Sequence, residues 1–589
     1  MTDYAVPLKD IRFALRAVAG LDEILSQQAF RDFDAETVDQ VLEEAARFAE
    51  DVIAPTNTAG DRFGCHVEDG NVVVTEGFAD VYRQFVENGW QSLPAPADIG
   101  GMGLPEVVGI AASEMWHSAN VSFSLCPLLT AGSIVALETH GSEMQKQQFL
   151  PKLVTGEWAG TMVLTEPQAG SDLAALATRA VPDGDAYRLT GTKIFITWGD
   201  HSMAENIIHL VLARLPDAPP GVRGISMFAV PKYLVNDDGS LGERNDVWAA
   251  SVEHKMGIHA SPTCVLNFGE NDGAIGYLVG GENRGLACMF TMMNHARLNV
   301  GLQGVSLSER AYQLALGWAK ERVQGTAVGK EGRVTIINHP DVRRMLMVMK
   351  SQVEAMRAAA YLAGGLIDLE SHAADEEQRR RTSARVDLLI PIVKGWLSEV
   401  TQEITSLGIQ IHGGMGFVEE TGAAQFMRDA RILPIYEGTT GIQGNDLTGR
   451  KLQGDEGRAL RRLLDDMRST AAAVEATDGI EALAAPFRLA VDQAEQAADW
   501  LLERAPADPN AAGTASVNFM MLMGTVLGGW MMLCSALAAC DAGVDANFAD
   551  AKRKTAKFYC SHILPRAAAY GSAAMAGPED VMGLAEELF

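Results

Sequence analysis

The sequence predicts an α+β protein of segregated layers: helices, then an all-β segment, then a long helical region. Three observations carry this. Apolar residues recur at three-and-four spacing from Glu36 to about residue 160, and again from Gly285 onward. Between Thr161 and about Val279, short runs rich in β-branched and aromatic residues are separated by turns holding Gly, Asp or Pro. Helices and strands do not alternate, which argues against a βαβ sheet.

In chain order, residues 1–35 read as an N-terminal extension of short segments. ETVDQVLEEAARFAEDVIAP is a helix that stops at Pro55, and FADVYRQFVENGWQSL is another. PADIGGMGLP is a loop. EVVGIAASEMWHSA, Thr130–His140 and SEMQKQQFLPKLVTGEW complete a helical domain over 36–160. TMVLTE, YRLTGTKIFIT, NIIHLVLARL, GISMFAVPK and TCVLNFG are the strands of a β domain over 161–280. Long helices at about 285–324, 340–371, 376–410 and 421–430 form a bundle over 281–450. Three or four more helices make an additional C-terminal domain over 451–589. A chain of 589 residues is too long for one hydrophobic core, in keeping with several domains.

Lys and Arg number 48 against 76 Asp and Glu, a net charge of −28. Such a chain is a poor partner for nucleic acid or an anionic membrane. The seven cysteines are dispersed, with no C-x-x-C pair, as in a reduced, cytoplasmic protein. The N-terminus has no apolar stretch ending in a small-residue cleavage site. Between Asp508 and Asp541 there is no charged residue, and VNFMMLMGTVLGGWMMLCSALAAC is long enough to span a bilayer. Asn518, Thr525, Ser535, three glycines and the lack of basic flanks favour a buried helix over membrane contact.

No Gly-x-Gly-x-x-Gly stands between a strand and a helix, and no Walker loop or G-x-S-x-G elbow occurs. His339 and His412 lack metal-ligand spacing, so no metal is expected. Three segments stand out. Leu164-Thr165-Glu166-Pro167-Gln168-Ala169-Gly170-Ser171-Asp172 offers hydroxyls and backbone N–H groups suited to a heterocycle edge or a pyrophosphate, although alone it is only a turn. Gln410-Ile411-His412-Gly413-Gly414-Met415-Gly416-Phe417 is a helix end open to close approach, or an ordinary glycine cap. Ile435-Tyr436-Glu437-Gly438-Thr439-Thr440 places Glu437 in an apolar loop. A carboxylate there is either a desolvated base or a solvated loop residue.

In this order and separation, the three segments resemble the acyl-CoA dehydrogenase family over about residues 40–450. The resemblance implies the acyl-CoA dehydrogenase fold, with a helical domain, a β-barrel-like domain and a helical bundle, and FAD as cofactor. Glu437 matches the family's catalytic base. In some relatives the base precedes an arginine on an earlier helix; that position here is Ala296, before Arg297, and alanine cannot act as a base. Thr165 and Ser171 match flavin contacts. Phe195-Ile196-Thr197 is similar to the family's Trp-Ile-Thr segment beside the isoalloxazine, so Phe195 and Thr197 are implied flavin neighbours. Phe195 keeps the stacking face and loses the indole N–H. Arg322 matches an arginine contacting FAD of a neighbouring subunit, in the degraded motif Glu321-Arg322-Val323-Gln324-Gly325. Gln410, Gly413 and Gly414 match the adenosine site, and Thr439 a further FAD contact. Ser171, Arg297 and Gly438 are implied substrate contacts.

The implied reaction is α,β-dehydrogenation of an acyl-CoA thioester, with electron-transfer flavoprotein as acceptor and a homodimer as assembly. The opening Tyr4-Ala5-Val6-Pro7-Leu8-Lys9-Asp10-Ile11-Arg12-Phe13 and the long tail resemble a bacterial subgroup. It includes 3-(methylthio)propanoyl-CoA dehydrogenases of dimethylsulfoniopropionate breakdown and some fatty acyl-CoA dehydrogenases. The resemblance points to the methylthio thioester. Alternatives are a straight-chain substrate, an acyl-CoA oxidase, and a DNA-associated relative with a basic C-terminal domain. The last is disfavoured by the tail from Lys451, where 12 basic and 19 acidic residues give −7.

Overall fold

The computed structural model describes residues 4–541 and 543–589. It divides into two compact units. One comprises the N-terminal stretch to Ala46, Pro105–Ser118 and Arg297–Phe589; the other comprises Arg47–Leu104 and Ala119–Ala296.

The second unit carries the main sheet. Its strands are β1 (Trp158–Val163), β2 (Arg179–Asp183), β3 (Ala186–Thr197), β4 (Asn206–Arg214), β5 (Ile225–Pro231), β6 (Val247–Val252), β7 (Thr263–Phe268) and β8 (Ala274–Val279). Their spatial order is β6-β7-β3-β8-β5-β4-β1, with β2 pairing β3 and β4. β1 runs parallel to β4, Trp158 opposite Asn206. β4 and β5 are buried almost throughout, which is why NIIHLVLAR and ISMFAVP read as continuous apolar runs without alternation. β2, β6 and β8 are not among the predicted runs. RAVPD, VWAASV and AIGYLV are short, and Pro182 and Gly276 weaken their local signal, so cross-strand pairing defines them. The helix Val121–His140 begins earlier than the predicted Thr130. Asn120 caps it by accepting from the Phe123 N–H at 3.2 Å, and Pro127 is accommodated inside. A capping box of Ser142 and Gln145 opens the helix Glu143–Thr155.

The first unit is helical. Helices Pro340–His372 and Glu376–His412 lie against each other, and Asp375 caps the second by accepting from the Glu377 N–H. Buried charges are paired here. The Arg357 guanidinium donates to Glu114 and Glu309 at 2.8 Å each, and the Tyr361 hydroxyl donates to Glu114 at 2.7 Å. Lys552 reaches Asp10 at 2.5 Å and Glu354 at 3.0 Å, tying helices Leu8–Ala17 and Ala546–Phe558 to the bundle.

Beyond Lys451 the chain forms Arg458–Glu475, Ala484–Arg504, Pro509–Ala538, Ala546–Phe558 and Arg566–Ala574, one more long helix than the upper expectation. A wide turn at Tyr559–Ile563 followed by Pro565 separates Ala546–Phe558 from Arg566–Ala574. The uncharged run is the helix Pro509–Ala538. It and Val121–His140 are long and apolar enough to cross a membrane, yet 89% and 83% of their most apolar windows are buried inside the protein. They are core helices.

Candidate active site

The third sequence segment builds the most chemically suggestive arrangement, within the helical unit. The helix Ala423–Ala430 ends in a loop that turns through Pro434 and re-enters a helix at Thr440–Asn445, where Thr439 accepts from the Ile442 N–H at 3.2 Å. Between them Glu437 adopts φ +55° and Gly438 φ +90°. A left-handed glutamate costs on the order of 1–3 kcal/mol and persists only where its surroundings hold it. At Gly438, φ +90° would strain any other residue, and a Cβ would stand 2.5 Å from Gln443 Nε2 and displace that amide.

Two side chains hold the turn. Lys394, fully buried on the helix Glu376–His412, donates to the Leu433 carbonyl at 2.8 Å and the Gly438 carbonyl at 2.6 Å. Gln443 Nε2 donates to the Glu437 and Gly438 carbonyls at 3.4 and 3.3 Å. The neighbouring Tyr436 hydroxyl donates to Gln303 Oε1.

Glu437 keeps a small accessible face but is otherwise enclosed by protein. Burial pushes its carboxyl up to about 7, against the opposing pull of Lys394 and Arg297. Burial brings Lys394 down to about 8, with Glu437 acting the other way. Arg297 is buried, 3.7 Å from Asp446. Thus Arg297, distant in sequence, comes together with the consecutive Glu437, Gly438 and Thr439. A carboxylate with a pKa near neutrality, positive charge nearby and its backbone held can accept a proton from a weak carbon acid.

In the same unit a second group forms around Trp318. The Arg322 guanidinium lies over its ring at 5.9 Å, and the His412 ring stacks on it at 5.3 Å. His412 Nδ1 is 2.7 Å from the Gly408 carbonyl, a local helix contact, and no metal-binding cluster occurs among the described residues. Gln410, Gly413 and Gly414 are exposed at the adjoining helix end, and a Cβ added at either glycine would meet open space. The segment Gly413–Phe417 is a short 3-10 turn.

In the β unit the first segment is anchored to β3. The Ile194 N–H donates to the Thr165 carbonyl at 2.9 Å, bringing Thr165 beside Phe195 and Thr197. Phe195 has φ +60° and leaves 58% of its surface exposed, an aromatic face held out at a strained position. Thr197 pairs with Thr263 across β7. Ser171 is exposed beyond the turn, where Asp172 accepts from the Ala174 N–H. Within the β unit, the presented aromatic ring and the half-buried Thr165 and Thr197 suit a large planar, polar-edged group such as a flavin.

Sequence reasoning passed over the residues that support these sites. Glu166 accepts from Ala177 N–H at 2.7 Å, Thr178 N–H at 3.0 Å, Thr178 hydroxyl at 2.6 Å and the buried Lys193 ammonium at 2.8 Å. Lys193 also donates to the Leu164 carbonyl at 2.9 Å. Burial raises the Glu166 carboxyl, but Lys193 and these hydrogen bonds outweigh it and hold it at about 2. Burial brings Lys193 to about 8, so below that value the pair is ionic. A sequence signal existed for Lys394: it is a lone charge in the apolar run LLIPIVKGWL.

The models of the acyl-CoA dehydrogenase N-terminal, middle and C-terminal domains match residues 35–157, 161–270 and 283–452. A model described as acetyl-CoA dehydrogenase C-terminal like matches 463–585. The chain is 50% identical over 569 residues to 3-methylmercaptopropionyl-CoA dehydrogenase of Ruegeria pomeroyi, covering 95% of this chain and 96% of that one. It is 35% identical to a butyryl-CoA dehydrogenase of Syntrophomonas wolfei, covering 96% and 95%. A Bacillus anthracis acyl-CoA dehydrogenase crystallised with FAD shares the fold at TM-score 0.75 and 22% identity, covering 94% of this chain and 90% of that one. The chain belongs to the acyl-CoA dehydrogenase family. It is an acyl-CoA dehydrogenase, an FAD-dependent oxidoreductase.

Proposed function

We propose that the protein dehydrogenates 3-(methylthio)propanoyl-CoA to the trans-2,3-enoyl-CoA, in dimethylsulfoniopropionate catabolism. One observation carries this substrate: 50% identity to the Ruegeria pomeroyi enzyme along almost the full length of both chains, against 35% to the butyryl-CoA dehydrogenase. The long C-terminal region lies inside both alignments, so the additional helices alone do not discriminate the two substrates.

In this reading Glu437 removes the α-proton. Its near-neutral pKa leaves a usable fraction ionised at neutral pH while making the carboxylate a stronger base than an exposed one. The developing enolate needs a donor at the thioester oxygen. The Glu437 backbone N–H, which makes no hydrogen bond within the chain among the described residues, is suited to that role. Arg297 and Gly438 border the base, and Ser171 is assigned a substrate contact. Bound FAD would supply the hydride-accepting chemistry for the substrate's β-carbon. Phe195, Thr165, Thr197 and Ser171 would hold its ring system, and Gln410, Gly413, Gly414, Arg322 and Thr439 its remaining parts, Arg322 in a neighbouring subunit. Electron-transfer flavoprotein as the electron acceptor, a homodimer and a cytoplasmic location complete the proposal.

The test is anaerobic mixing of FAD-loaded enzyme with 3-(methylthio)propanoyl-, butanoyl-, octanoyl- and palmitoyl-CoA, following flavin absorbance. Fastest bleaching by the methylthio thioester supports the substrate. Faster bleaching by a straight chain overturns it and leaves the chemistry intact. E437Q should keep FAD and slow bleaching by about a hundred- to ten-thousand-fold. Full activity in that variant removes Glu437 as base.

A further inference from the structure

We propose that Lys394 is a positioning residue for the base: its buried ammonium clamps both ends of the strained Glu437–Gly438 turn and supplies the positive charge against which Glu437 ionises. The inference rests on the reading of Glu437 as base and deepens it.

The geometry is specific. A single ammonium bridges the carbonyls of Leu433 and Gly438, one on each side of Glu437, at 2.8 and 2.6 Å. Those five intervening steps of chain include the left-handed Glu437 and Gly438, a conformation that would relax without a tether. Lysine is an expensive choice for that tether, because a neutral donor such as Gln443 already reaches Glu437 and Gly438 from the other side. What the lysine adds is charge. Lys394 is fully buried, and burial alone would favour its neutral form.

The charged and titratable groups facing this pair come from several elements. Arg297 on the helix Gly285–Glu321 lowers the Glu437 carboxyl alongside Lys394. Glu399, on the helix of Lys394, favours the ammonium. Asp446 and Arg450 act on Arg297. Tyr436 and Asp429 complete the set, and burial pushes the Tyr436 phenol far above its ordinary value, so it stays neutral. Arg297 already spends charge on Asp446 at 3.7 Å. Among the described residues Lys394 forms no salt bridge and its ammonium is bound to the Leu433 and Gly438 carbonyls, so its charge is undivided by an ion pair. Removing it should therefore do two things: loosen the turn, and make Glu437 harder to ionise.

The experiment compares wild type with K394M, K394Q, Q443L and E437Q, all loaded with FAD. The rate of flavin reduction at saturating acyl-CoA and its pH dependence are measured anaerobically. In parallel, the Glu437 carboxyl is titrated without turnover, by infrared difference against E437Q. K394M should slow reduction by about tenfold or more with the substrate KM little changed. Both neutral variants should move the Glu437 limb upward by about 1 pH unit, in rate and infrared alike. Q443L, which removes a tether and no charge, should slow reduction without moving the limb. An FAD-loaded K394Q with the wild-type limb overturns the proposal. So does a K394M and K394Q pair that fails to take up FAD, since Lys394 is then a determinant of the fold. Failure of the base reading is distinguishable: E437Q then retains activity, whatever Lys394 does.

Discussion

The helix Pro509–Ala538 lies on the helix that carries Lys394, and Gly524 shows how closely. A Cβ on Gly524 would stand 2.1 Å from Trp396 Cγ and 2.4 Å from its Cβ. Ordinary carbon contacts begin near about 3.5 Å, so G524A is short by more than about 1 Å against a ring that is itself buried. Overpacking of this kind costs about 1–3 kcal/mol, and alanine returns about 0.8–1 kcal/mol of helix propensity. A clash this deep belongs at the upper end of that range, about 2–3 kcal/mol, so the net loss is about 1–2 kcal/mol. G513A, in the same helix, is the control. Gly513 is exposed and a Cβ there meets open space, so only the propensity gain remains. The readout is hydrogen exchange of peptides from Pro509–Ala538, which reports local opening. G524A should open the helix about 5- to 30-fold more often, while G513A should protect it slightly. Exchange in Thr440–Asn445 should rise with it, because Gly444 packs on the Ser516 backbone. Equal protection in G524A and G513A would refute the close-packing argument.

Three further outcomes follow from the sites. K193M strips the buried Glu166 carboxylate of its ammonium and should destabilise the β unit by about 3–5 kcal/mol, with loss of bound FAD, measured by melting and flavin absorbance. In wild type the low Glu166 pKa contributes stability above the ordinary carboxylate range that is lost as pH falls towards about 2. The K193M protein should begin losing it at higher pH. F195G relieves a left-handed non-glycine residue and should raise the stability of the FAD-free protein by about 1 kcal/mol while weakening FAD retention. Finally, kcat/KM should rise with pH through a limb near pH 7, because the ionised form of Glu437 is the proposed base. A limb unchanged in the residual activity of E437Q would assign it to another group.

Much of this protein was legible in its sequence because the informative signals are local. The change from helical to strand-like patterning near Thr161 marks the entry to the sheet, where β1 spans Trp158–Val163. The helices Pro340–His372 and Glu376–His412 lie within two residues of their predicted ends. The candidate residues came from short motifs whose spacing is visible without any fold. What escaped depends on contacts between distant residues. β2, β6 and β8 are defined by their partners rather than by their own periodicity. An apolar run such as VNFMMLMGTVLGGW fits a bilayer or a protein core, and side chains packed on it, Trp396 and Tyr559 among them, decide for the core. The left-handed backbone of Glu437 is set by Lys394 and Gln443, and Lys394 lies on a different helix. Sequence by itself determined which residues could carry the chemistry. The tertiary structure decided the protonation and geometry of Glu437, because desolvation and opposing charge are properties of neighbours in space.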